Sequence, residues 1–551
     1  MKKYNYQKSS IIVLFALLLA FVFFAHFTPG RKKIPKLVVG IVVDQMAYDF
    51  IPRYWNKYSE NGFKRLINNG FFCKNTKLIH FPSYTAVGHS SIYTGSVPAI
   101  NGIMGNDWYD REKDAIVYCG DDDTCKTVGS IAKDGNMSPS SLMSSTITDQ
   151  LMLSNNSKSK VIGIALKDRG AIFPAGHFAN AAYWYDANNK KWITSNYYMN
   201  KLPGWVEEFN NKKLPDYYLS RQWNTLYPIE NYTESTEDDN EYEDTYKGEV
   251  KPVFPHNIYE LKDSNPNILR ACTFGNSFTK DFTLDAIKYE NLGKDDFPDF
   301  LCVSFSSTDY VGHKFGPNSI EVEDTYLRID NDIAELLEYL DNNIGDGNYL
   351  VFFTADHGVC SNTGYLKNKG FPAGTFFTKA ILDSVNTYLE RTYNKKNLAL
   401  HFFNQQVYFN YKLIEENGLN LNEIVKNTAS YIKNNIEAVE NVYTYEDFKN
   451  GNYNDYAFKF FKNGYYEKRC GEVFVNFKQY WIEDRIKGAE HGGPYDYDIH
   501  VPLVWYGYGI TKGETSEPIE TVDIAPTLSK LLNIDFPSGC VGKPIKEIVG
   551  N

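Results

Sequence analysis

LVVGIVVD, residues 37 to 44, decides the fold. The apolar run Leu37 to Val43 is continuous and short, as in a strand buried on both faces, and an acidic residue, Asp44, follows at once. Three further runs repeat the pattern. FLCVSF (300–305) leads to Asp309 and His313, YLVFF (349–353) leads to Asp356, His357 and Gly358, and VIGIAL (161–166) leads to Lys167 and Arg169. In an open α/β sheet, ligands bind beyond the carboxyl ends of the strands, so functional groups from distant parts of the chain collect there. Helical stretches such as 320–340 and 522–534 alternate with the strands, which predicts an α/β fold with a mostly parallel central sheet and helices on both faces.

The strand ends, with His491, offer Asp44, Asp309, His313, Asp356, His357 and His491. A mixed carboxylate and imidazole set suits zinc better than calcium or magnesium. Six ligands make two incomplete shells, each with an open position for substrate, and two ions about 4 Å apart can clamp the attacking and leaving oxygens of an in-line displacement. A single Asp-His pair reads more simply as caps and turns, but three such strand ends do not. The nucleophile candidate is Thr85 in FPSYTAVGHSSIYTG (81–95), where Pro82 can set a turn and Gly95 can stop a short helix. A helix start favours an alkoxide or a bound phosphate. Lys167 and Arg169 face one way if the strand continues through them, and can grip phosphoryl oxygens. Spacing alone also allows a solvated surface pair.

Taken together, VVDQM (42–46), YTAVGHSSIYTGSVPAINGIMGNDW (84–108), LKDRGA (166–171), SSTDYVGHKFGP (306–317), TADHG (354–358) and HGGPYDYD (491–498) resemble the alkaline phosphatase superfamily. The branch is that of bacterial phosphate-irrepressible alkaline phosphatases with a threonine nucleophile. The resemblance runs from about residue 35 to the C-terminus and implies an alkaline-phosphatase-like fold with cap-like insertions. It implies two Zn2+ ions, one held by Asp44, Thr85, Asp356 and His357, the other by Asp309, His313 and His491. It further implies a phosphothreonine intermediate on Thr85, with Asn106, Lys167 and Arg169 on the non-bridging oxygens of small-molecule phosphate monoesters. Nucleotide pyrophosphatase/phosphodiesterases are the related alternative, from which Gly88 and the pair Lys167/Arg169 set this chain apart. Sulfatases need a C/S-x-P-x-R motif that the Thr85 segment lacks. A metal- or phosphate-binding protein without turnover would have lost a motif residue, and none is missing.

Composition agrees. The 551 residues, 43% hydrophobic and 16% aromatic, can bury a large core, and the ligand positions span 44 to 491, which argues for one enlarged catalytic domain over 34–551. Insertions are expected at about 180–260 and 375–485, with the acidic, Tyr-rich stretch 233–249 a solvated loop. The net charge of -11 carries no basic face for nucleic acid, and a monomer is expected. Residues 1–33, with Lys2, Lys3 and Lys8 before the apolar stretch 11–25, read as a signal peptide or N-terminal anchor, so the protein is expected to be exported and periplasmic. Cys119 and Cys125 are close enough for a small disulfide loop.

Overall fold

The computed structural model describes residues 34–550 apart from 452 and 454, and the export-signal reading of 1–33 lies outside the described residues. The strands that position the site are β1 (Leu37–Val43), β2 (Phe71–Lys77), β3 (Val161–Ala165), β4 (Ala181–Asp186), β5 (Asp299–Phe305), β6 (Tyr349–Thr354) and β7 (His500–Gly507). They belong to an eleven-stranded sheet in the order β2-β7-β6-β1-β5-β3-β4. The run from β6 to β4 is parallel throughout, while β7 is antiparallel to both β6 and β2. The mostly parallel sheet expected from the apolar runs therefore forms the centre, with antiparallel strands at its margin.

Every residue of β1 is buried, because both faces of the sheet are covered. Leu37, Val39, Ile41 and Val43 share one core with residues of the helix at Phe274–Tyr289 and of the long helix at Ile320–Asn343. Val38 and Val42 share another with residues of Thr85–Thr94 and Ile524–Leu532. Register then does the positioning. Val42 lies level with Thr354 on β6, and Val43 level with Phe305 on β5, so the residues that follow all three strands emerge at one edge.

Residues 374–483 build a second unit. Ala399–Phe403, Gln406–Phe409, Val473–Phe477 and Val439–Thr444 form an antiparallel sheet in that order. It buries its own apolar core against the helices Thr378–Tyr393 and Leu421–Asn435.

Three expectations are corrected. The stretch from about 180 does not begin as a cap: β4 and the strand Lys191–Ser195 extend the main sheet, because AAYWYD is buried along its whole length. The acidic stretch 233–249 is not simply solvated. Glu243 and Tyr246 are buried, and Tyr246 packs its ring 5.5 Å from Phe315 and 5.6 Å from His256. Cys119 and Cys125 are free thiols. Their loop pairs with 136–138 instead of closing on itself, through Asp122 N–H to the Asn136 carbonyl (3.0 Å) and Ser138 N–H to the Gly120 carbonyl (3.0 Å).

Candidate active site

Four helices start at the edge where the parallel strands end, and we label them α1 (Thr85–Thr94), α2 (Asp168–Ala175), α3 (Ser307–Phe315) and α4 (Ile320–Asn343). Thr85 is the first residue of α1, and Gly95 closes that helix with φ 63°, as its sequence predicts. Asp309 and His313 lie one turn apart on α3, so both point to one side. Lys167 and Arg169 do not continue strand β3. Lys167 caps α2 and Arg169 lies in its first turn, so the turn brings them to the site rather than the strand alternation expected. Neither is a surface pair, since Lys167 is buried and Arg169 half-buried.

The six Asp and His residues separate into two groups, Asp44/Asp356/His357 and Asp309/His313/His491, within each of which one ligand atom per residue lies within 4.8 Å of the others. Each imidazole turns its Nδ1 to a backbone carbonyl: His357 to Gly358 (2.9 Å), His313 to Ala489 (2.9 Å) and His491 to Ser83 (2.7 Å). A carbonyl only accepts, so Nδ1 carries a hydrogen and Nε2 is the nitrogen that faces the group, as in metal-ligating histidines. His357 Nε2 lies 3.6 Å from Asp44 Oδ1, and neither atom has a hydrogen-bond partner. Burial pushes His357 down to about 3, so its Nε2 presents a lone pair to the Asp44 oxygen. Burial and the like charge of Asp356 also push Asp44 well above the usual carboxylate range. A cation between these atoms resolves both conflicts, so the donor set fits a divalent metal. In the second group His313 Nε2 is 3.2 Å and His491 Nε2 3.5 Å from Asp309 Oδ1. Burial opposes a charge on His313, yet Asp309 and Glu490 outweigh it and raise its pKa to about 9: the group draws positive charge to Nε2.

Lys167 links the groups. Its Nζ is 2.7 Å from Asp44 Oδ2, 2.5 Å from Asp309 Oδ2 and 3.3 Å from Thr85 Oγ1. Burial alone would lower its pKa, but the two carboxylates raise it above the usual lysine range, so the ammonium stays charged. Thr85, Asn106, Arg169, Asp309, His313 and His491 line one cavity of about 640 Å3, while Asp44, Asp356, His357 and Lys167 lie buried beneath it. Asn106 Oδ1 accepts the Ala86 N–H at the start of α1 (3.0 Å), which fixes the amide orientation and leaves Nδ2 to donate. Arg169 Nη1 donates to Tyr118 Oη (3.1 Å).

Several participants carry no signal that the sequence reading used. Gln45, with φ 66°, donates its Nε2–H to Asp309 Oδ1 (2.8 Å) and its N–H to Asp356 Oδ1 (3.1 Å), tying one ligand group to the other. Its place beside Asp44 in VVDQM was the available hint. His89, one turn after Thr85, sets Nδ1 3.2 Å from Asp356 Oδ2. Gly88 follows from close packing: a Cβ there would stand 2.3 Å from the Asp356 carbonyl oxygen, so α1 reaches this strand end only with glycine at that position.

The family described as Type I phosphodiesterase / nucleotide pyrophosphatase matches residues 38–498. The chain is 45% identical over 534 residues to a protein named calcium-transporting ATPase from Myroides odoratus, covering 96% of this chain and 97% of that one. It is 43% identical over 519 residues to alkaline phosphatase PafA from Elizabethkingia meningoseptica, covering 94% and 95%. A crystal structure of wild-type alkaline phosphatase PafA matches with a TM-score of 0.92 at 42% identity, covering 95% of this chain and all of that one. Among the described residues no helix is long and apolar enough to cross a membrane.

Proposed function

We propose, for a chain that belongs to the type I phosphodiesterase / nucleotide pyrophosphatase family of the alkaline phosphatase superfamily, that it is an exported, periplasmic, zinc-dependent alkaline phosphatase acting on a broad range of phosphate monoesters. The observation that carries the reading is Thr85 at a helix start, 3.3 Å from a buried ammonium that joins two Asp/His groups. Asp44, Asp356 and His357 with Thr85 would hold one zinc, and Asp309, His313 and His491 the other. When bound, the pair supplies Lewis-acid charge that favours the ionised hydroxyl and offsets the charge developing on the leaving oxygen.

The chain's own groups do the rest. Thr85 Oγ attacks phosphorus in line, the phosphorus–ester oxygen bond breaks, and a phosphothreonine remains until water displaces Thr85. The dipole at the start of α1 favours negative charge on Oγ and on the phosphoryl group. Asn106 Nδ2, Lys167 and Arg169 contact the non-bridging oxygens. A monoester dianion offers them more charge than a diester, which replaces one charged oxygen with an ester group, so cationic and amide donors here select monoesters. Their attraction is local, because Asp107, Asp244, Glu483, Asp484 and Glu490 outnumber Arg485 and Lys487 in the rest of the cavity wall.

The family description favours a second reading, hydrolysis of phosphodiesters. One experiment separates the two: kcat/KM for an aryl phosphate monoester against the matching aryl phosphodiester, with zinc-loaded enzyme at alkaline pH. The phosphatase reading expects a strong monoester preference. A diester preference would replace it with the phosphodiesterase reading.

A further inference from the structure

The segment that carries Asn106 is seated on the inserted four-stranded sheet. Asn404 (φ 51°) and Gln405 (φ 57°) make the tight turn between Ala399–Phe403 and Gln406–Phe409. Two consecutive left-handed residues are the geometry of a type I′ hairpin turn, and asparagine tolerates that backbone better than most residues. The tip of this hairpin reaches the cavity: Phe403 and Asn404 line it together with Thr85 and Asn106.

Asn404 is only 4% exposed, and its Nδ2 donates to the carbonyl of Asp107 at 2.7 Å. Asp107 directly follows Asn106. On the other side of Asn106, a Cβ at Gly105 would stand 2.7 Å from the same Nδ2 and 2.8 Å from the Asp107 carbonyl oxygen, so the Asn404 amide presses on the 105–107 backbone from both ends. The catalytic side holds the same residue in place, with the Asn106 carbonyl accepting Cys119 N–H (2.8 Å) and Oδ1 accepting Ala86 N–H (3.0 Å). Asn106 is thus clamped between the helix that starts at Thr85 and a hairpin some 300 residues later in the chain. Catalytic contacts lose strength steeply when a donor is displaced by as little as about 1 Å.

We propose that Asn404 is a positioning residue, whose side-chain amide fixes the 105–107 backbone and so aims Asn106 at the phosphoryl group. The insertion then tunes monoester hydrolysis rather than only walling the cavity. This rests on the reading of Asn106 as a phosphoryl contact.

The test uses full-length, zinc-loaded enzyme. Asn404→Asp keeps the side-chain shape and tolerates the turn but cannot donate, while Asn404→Gly removes the amide and adopts the turn without strain. Each is expected to lower kcat/KM for an aryl monoester by about 10-fold and to raise the inhibition constant of inorganic phosphate by a similar factor. The loss should be smaller than that of Asn106→Ala. Added to Asn106→Ala, Asn404→Asp should change the rate by less than about 2-fold, because the positioned group is already gone. An equal loss in both backgrounds would overturn the proposal while leaving the role of Asn106 intact, since Asn404 would then support the fold independently. Unchanged kinetics in both Asn404 variants would overturn it as well. If Asn106→Ala loses nothing, the phosphoryl reading of Asn106 fails, and any loss in Asn404→Asp then comes from elsewhere, which sinks the proposal too.

Discussion

The two ligand groups share their chemistry and differ in depth. The side chains of Asp44, Asp356 and His357 are each 0% exposed, whereas those of Asp309 and His491 are 4% and that of His313 21% exposed. The difference comes from the elements that carry them. The first group hangs directly on the ends of β1 and β6, adjacent strands at the centre of the sheet. The second is built from helix α3 and from a loop that reaches the site only after the inserted unit, and it opens onto the cavity. If each group holds an ion, as proposed, the buried one would keep its geometry around Thr85 and the cavity-facing one would be open to a leaving group and to water.

The largest effect should come from the proposed nucleophile. Thr85→Ala is expected to lower monoester turnover by on the order of 10^4-fold or more, because no other hydroxyl replaces the nucleophile. Single-turnover assays check this, and activity within about 10-fold of wild type would remove Thr85 from that role. Next, the double substitution Lys167→Ala with Arg169→Ala should cost monoester kcat/KM about 10^2-fold more than diester kcat/KM, since charge-assisted contacts are lost selectively. Equal losses on the two substrates would refute the selectivity argument. Metal removal addresses depth itself. Dialysis against a chelator, followed by metal analysis, should strip the cavity-facing equivalent before the buried one, and His313→Ala should start with that equivalent missing. Gln45→Leu, which breaks the contact joining the groups, should weaken metal binding by about 10- to 100-fold, read by chelator competition. Release of both equivalents at one rate would mean that burial does not distinguish them.

The smallest effect lies outside both groups. His256 places Nδ1 2.7 Å from Glu249 Oε1 and Nε2 3.0 Å from Glu321 Oε1, so both ring nitrogens face acceptors and the ring is an imidazolium. Burial opposes that charge, but the two carboxylates raise the pKa to about 9. A folded pKa above the free value of about 6.5 means stability that is fully present below that pH and lost as pH rises through 9, on the order of 3 kcal/mol. Between about pH 6 and pH 10, the Tm of wild type should therefore fall more than that of His256→Gln. Parallel curves would show that this histidine does not carry the alkaline loss.

How much was legible follows from which signals are local. Strand runs such as LVVGIVV could be read because burial on both faces leaves them almost no polar residues, and Thr85 and Gly95 could be placed because helix starts and stops have their own chemistry. The geometry of Lys167 and Arg169 was misjudged, because the run VIGIAL does not show where β3 ends and α2 begins. The extent of the insertion near residue 180 was misjudged because β4 is rich in Tyr, Trp and Ala, whose burial in the sheet depends on aromatic partners such as Phe278 and Phe282 far along the chain. Gln45 left only its place beside Asp44 as a hint, and His89 and Asn404 left none, since each acts through a polar contact across more than 200 residues and no spacing rule encodes such a partner.

By itself the sequence determined the class of the fold and the inventory of chemistry: buried strands ending in carboxylates and imidazoles, a threonine at a helix start, and two cations just after another strand. It could do so because hydrophobic periodicity and ligand type are properties of short segments. Only the tertiary structure decided how that inventory is divided. Parallel register brings the ends of β1, β5 and β6 level, separates the ligands into a buried and an open group, sets Lys167 between them, and lowers the inserted hairpin onto the backbone of Asn106. Those are distances between segments hundreds of residues apart, and distances of that kind exist only once the chain has packed.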